Sequence, residues 1–73
     1  MLRKDQMVAA IEAEIEMWEV SAYRVELRYK VGKRLGDSEE ELAILRKEIE
    51  RHEERIHEYK IELENAGGTD GAS

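Results

Sequence analysis

The sequence contains no cysteine, no proline and no phenylalanine, and aromatic residues make up only 5% of its 73 positions. Without cysteine there is no disulfide framework, no thiolate metal site and no cysteine nucleophile. Without proline nothing forces a helix to break. Long apolar runs are missing too. The longest, Met7 to Ile11, falls far short of the ~20 residues a membrane-spanning helix needs. It also makes a poor signal-peptide core, because Glu12 follows directly and no small-residue cleavage site is present. These absences predict a cytoplasmic protein with no membrane partner. The length allows one domain at most, too little for a doubly wound or barrel enzyme.

What is present favours helix. Glu, Lys, Arg, Ala, Leu and Ile dominate, and charged residues make up 41% of the chain, a composition of good helix formers. Glycine is confined to Gly32 and Gly36 near the middle and to Gly67, Gly68 and Gly71 at the end. The segments between carry a helical period rather than strand alternation. The pattern predicts an all-α antiparallel hairpin over residues 1–66. Its first helix spans about 4–35, the turn about 36–38 and the second helix about 39–65. Gly36 suits the left-handed residue that closes a helix, with Gly32 as an earlier alternative. Ser38 followed by Glu41 has the spacing of a capping box, and Glu39, Glu40 and Glu41 complement the positive end of the second helix. Residues 67–73, with three glycines and no apolar pattern, are expected to form a flexible tail.

Two apolar rows should face each other inside the hairpin. The first helix offers Val8, Ile11, Ile15, Trp18, Ala22, Val25 and Tyr29. The second offers Leu42, Leu45, Ile49, His52, Ile56, Tyr59 and Leu63. Both alternate steps of three and four, the a/d pattern of a coiled coil. The first helix then carries another row, Ala10, Ala13, Met17, Val20, Leu27 and Val31, interrupted only by Arg24. At 100° per residue this row lies roughly opposite the first. One partner helix cannot cover both sides, and an uncovered apolar strip is unusual on a soluble monomer. The expected remedy is self-association into a homodimer or higher oligomer, with the hairpins forming a four-helix bundle around the first helices. Small chains without disulfides or metals commonly gain their missing burial in this way. The bland alternative leaves the row partly exposed, Ala and Met being only weakly sticky.

The net charge of −6 is unevenly spread. Residues 1–36 hold seven basic and six acidic side chains, and residues 37–73 hold five basic and twelve acidic. Within the first helix Glu12, Glu14, Glu16 and Glu19 gather toward the start, and Arg24, Arg28, Lys30, Lys33 and Arg34 toward the turn. No basic stripe exists for a phosphate backbone, so direct nucleic-acid binding is not expected. An acidic surface can instead meet a basic protein, although a charged helical face is most simply a solvated one.

Catalytic and metal-binding patterns are sparse. His52 sits within the second helix's row, facing Ala22 if the turn has two residues and Trp18 if it is longer, with Glu48 one turn before it. A histidine there is most simply a polar register device, although histidine beside a carboxylate also titrates or binds metal. Glu54 and His57 have the E-x-x-H spacing of ferritin-like di-iron bundles, to which Glu12, Glu16 and Glu19 could add carboxylates across a dimer. His57, however, points away from the seam, and glutamate is so abundant that the spacing arises readily by chance. No metal or other cofactor is expected, with His52, His57, Glu48 and Glu54 as the metal-ligand candidates. Ser38 is taken up as a cap, Ser21 lies mid-helix, and no phosphate-cradling glycine loop exists. Tyr23, outside both seams, could anchor an interface.

The sequence therefore points to a non-enzymatic helical hairpin acting through protein contacts, as an adaptor, regulator or assembly factor. An alternative is an acidic inhibitor that occupies the nucleic-acid-binding surface of a basic partner, as phage or anti-defence proteins do. A metal-loaded ferritin-like bundle is the third reading.

Overall fold

The computed structural model describes residues 1–67. It contains helix α1, Lys4–Leu35, and helix α2, Glu39–Asn65, with no strand among the described residues. The connection at Gly36–Ser38 folds α2 back along α1 as an antiparallel pair. A helix of 32 residues is about 48 Å long, and the molecule measures 49 × 19 × 17 Å. It is one helix long and two helices wide.

Local chemistry sets each end. At the start of α1 the Arg3 backbone N–H donates to Gln6 Oε1 at 2.9 Å, and Asp5 lies in the first turn, where a negative charge suits the helix dipole. α1 ends at Gly36, whose φ of 82° is the left-handed conformation. The Asp37 N–H reaches the Gly32 carbonyl at 2.9 Å and the Gly36 N–H the Lys33 carbonyl at 3.3 Å. That pair of bonds is a Schellman motif, which satisfies carbonyls the helix would otherwise leave open. Lys33 and Arg34 occupy the last turn, the favourable end for cations.

α2 begins on reciprocal bonds. Glu41 N–H donates to Ser38 Oγ at 3.2 Å, and Ser38 N–H donates to Glu41 Oε1 at 3.3 Å. α2 closes with Ala66 N–H on the Glu62 carbonyl at 2.9 Å and Gly67 N–H on the Glu64 carbonyl at 3.0 Å. The Lys4 side chain packs against Gly67, so closely that a Cβ there would collide with it. The start of α1 and the end of α2 therefore meet at the open end. The tail expected over 67–73 lies, beyond Gly67, outside the described residues.

Gly32, one option for the end of the first helix, lies inside α1 and is buried. A Cβ there would lie 2.5 Å from Asp37 Oδ2 and 3.5 Å from Leu42 Cδ2. The space beside Gly32 is taken by the tip of the Asp37 carboxylate and by Leu42, and the helix continues for one more turn before Gly36 ends it.

The two helices meet along the three-four rows. Ile15, Ala22, Val25 and Leu42 are buried. Val8, Ile11, Trp18, Tyr29, Leu45, Ile49, His52, Ile56, Tyr59 and Leu63 are half-buried. The core is thin. Its best-enclosed members, Val25 and Leu42, keep 5% of their surface exposed, and no described side chain is completely enclosed. A pair of helices has no third element to close the seam's edges.

Candidate interaction surface

The side of α1 turned away from α2 carries the largest uncovered apolar feature. Ala10, Ala13, Met17, Val20, Leu27 and Val31 are all exposed, Met17 by 62% and Val20 by 56%. Leu35 extends the same row to the turn and is exposed as well. Its signal in the sequence was the four-residue step from Val31, hidden by its position at the expected helix end. At the turn end the strip opens into a shallow groove that includes Leu27, Val31, Gly32, Leu35 and Leu45. Arg24 is the one charged residue within the strip and is exposed.

The strip has charged borders of two kinds. On helical spacing, Glu14 and Arg28 lie along one border, and Glu16, Tyr23 and Lys30 along the other. Both borders are acidic in the half nearer the start of α1 and basic in the half nearer the turn. Ion pairs join Arg3 to Asp5 at 3.5 Å and Arg46 to Glu39 at 3.9 Å, each between residues close in sequence. Among the described residues, Glu14, Glu16, Arg28 and Lys30 have no ion-pair partner within the chain.

Trp18, His52 and Arg55 form a second cluster, on the edge of the α1–α2 seam. The three-residue turn brings His52 opposite Trp18, with ring centroids 5.2 Å apart and planes at 67°. Such an edge-to-face pair matches positive ring edge to negative face. The Arg55 guanidinium stands over the Trp18 ring at 5.4 Å, and Lys33 and Arg46 stand near the Tyr29 ring at 5.8 and 6.0 Å. His52 Nδ1 lies 2.7 Å from the Glu48 backbone carbonyl. The contact between His52 and Glu48 is thus made to the main chain.

The metal-ligand candidates Glu48, His52, Glu54 and His57 all border one open groove along α2, but their side chains do not converge on a common point. His57 and Glu54 are exposed on the outer side of α2, whereas His52 turns toward Trp18. Among the described residues no group of three or more His, Asp or Glu is placed to hold a metal ion. Glu12, Glu16 and Glu19 instead border an open groove with Lys60 and Glu64 near the open end. Among the described residues no helix is long and apolar enough to cross a membrane.

Of the other exposed apolar side chains, Ile44 and Ile61 stand on different sides of α2, and scattered single residues of this kind are ordinary on a protein surface. Tyr23 is 56% exposed and flanks the α1 strip. No protein-family model, curated protein or solved structure matches this chain.

Proposed function

We propose that this chain is a non-enzymatic protein-interaction module that works as a self-associated hairpin, two copies forming a four-helix assembly with α1 at its centre. The observation that carries this reading is the exposed apolar row of α1, Ala10 to Val31, on a molecule whose own seam encloses no side chain fully. Apolar surface removed from water contributes about 25 cal/mol per Å², and a hairpin this narrow has little other surface to bury. A second α1 presents a row of the same length and spacing, and three-four rows interlock as knobs into holes.

In such an assembly the outer faces of α2 remain available. The acidic excess of residues 37–73 makes them suited to a basic protein partner, as an adaptor, regulator or inhibitor would require. Capture of such a partner should weaken steeply with salt, and salt-insensitive capture would remove this part of the reading.

Self-association is tested by a double substitution. Placing charges at the middle of the strip, Met17→Glu with Val20→Glu, should leave the far-ultraviolet helical signal intact and halve the mass seen by sedimentation equilibrium. An unchanged oligomeric mass would show that the strip is not the interface.

A further inference from the structure

We propose that the two copies of α1 pack antiparallel about a two-fold axis between Ser21 and Tyr23, each acidic half lying against the other copy's basic half. The proposal rests on self-association through the α1 strip and specifies its geometry.

The charges bordering the strip decide the orientation. Glu14 and Glu16 flank it nearer the start of α1, and Arg28 and Lys30 flank it nearer the turn. None of them has an ion-pair partner within the chain among the described residues. The helix dipole does not account for this separation, because its influence fades within the first and last turns. These residues lie well inside α1, which runs Lys4–Leu35. α2 does not neutralise the acidic half either, since its own end beside that half carries Glu58, Glu62 and Glu64 against a single Lys60. A parallel pair of α1 helices would set acidic half on acidic half and basic half on basic half. An antiparallel pair sets opposite charges together along both borders.

One register satisfies the apolar and charged positions together. With Met17 opposite Leu27 of the second copy, helical spacing also places Ala13 opposite Val31 and Val20 opposite Arg24. On one border Glu14 then meets Arg28 of the second copy, and on the other Glu16 meets Lys30. Ser21 and Tyr23 each fall opposite their own equivalents, which marks the two-fold axis. Tyr23, exposed in the single hairpin, gains a ring partner. The aliphatic stem of Arg24 lies along the partner's apolar row while its guanidinium reaches the rim. A two-fold interface must be self-complementary, and in this register the face is so from Ala13 to Val31, with Ala10 set opposite Arg34 at each end.

The test exchanges the border charges. A variant carrying Glu14→Lys, Glu16→Lys, Arg28→Glu and Lys30→Glu keeps opposite charges facing in an antiparallel homodimer. Paired antiparallel with wild type, it sets like charges together. Differently tagged wild type and variant should therefore sort into homodimers after mixing, with the mixed species well below its statistical share. A parallel arrangement predicts the reverse, a mixed species above that share, and this result would overturn the proposal while leaving self-association intact. A mixed species at its statistical share would also overturn it, because the border charges would then not set the pairing. A wild-type protein that sediments as a monomer would remove the self-association reading and this geometry with it.

Should the variant fail to form helix, single cysteines decide, since the chain has none of its own. A short bismaleimide cross-linker should join Ala13→Cys to Val31→Cys in a mixed sample and leave Ala13→Cys alone unlinked. Linking of Ala13→Cys to itself would contradict the antiparallel arrangement.

Discussion

His52 interrupts the aliphatic and aromatic rows that face each other between α1 and α2, and its ring meets Trp18 on one side and the Glu48 carbonyl on the other. That carbonyl lies inside α2, where the backbone N–H of His52 is its regular partner. Removing the imidazole therefore leaves no orphaned acceptor, the usual source of a large penalty. His52→Leu should raise the stability of the hairpin by about 1 kcal/mol, apolar burial outweighing the lost edge-on ring contact. Thermal melting followed at the single tryptophan would show a rise of several degrees, whereas a marked fall would mean that the ring's polar contact is essential. The position of His52 in the row was legible from its three-four spacing. Its partner was not, because facing Ala22 or Trp18 depended on the length of the turn. Nor could spacing show Arg55 over the Trp18 ring, since a long flexible side chain is placed by packing across helices.

At the scale of the elements, two glycines four residues apart behave in opposite ways. Gly36 holds a φ of 82°, which an L side chain adopts only at a cost of roughly 1–2 kcal/mol. Gly36→Ala should therefore destabilise the hairpin by about 1 kcal/mol. Gly32 has ordinary helical backbone inside α1, where alanine is favoured over glycine by about 1 kcal/mol. The added Cβ would crowd chiefly the tip of the Asp37 carboxylate, a side chain that can swing aside. Gly32→Ala should be neutral or stabilising by up to about 1 kcal/mol, and urea unfolding of the two variants would show the opposite signs. Equal losses would mean that the turn cannot shift to admit a methyl group. Ser38→Ala removes the side-chain acceptor of the Glu41 N–H and should cost about 1 kcal/mol, read from the same titration; no loss would show that water caps α2 equally well. The start of α2 was written plainly in Ser38 and Glu41. The end of α1 was ambiguous because both glycines fit a helix stop. The Schellman bonds to Gly32 and Lys33 place it at Gly36.

For the whole molecule the governing fact is the ratio of seams to helices. α1 carries apolar rows on two sides, and α2 covers one of them. The row from Val8 to Tyr29 is buried or half-buried against α2, and the row from Ala10 to Val31 is exposed. Both rows were visible in the sequence because α1 is long and uninterrupted, so each repeats often enough to be distinguished. The thinness of the core was not visible, since spacing reports which residues face inward and not how completely they are covered. A second hairpin set against α1 removes the exposed strip, brings unpaired border charges together and leaves the acidic α2 faces outward. The most direct test of this account is the mass of the unmodified chain in solution, by sedimentation equilibrium at micromolar concentration and moderate salt. The account predicts twice the 8.5 kDa of the single chain. A mass of 8.5 kDa that persists as concentration rises would contradict it.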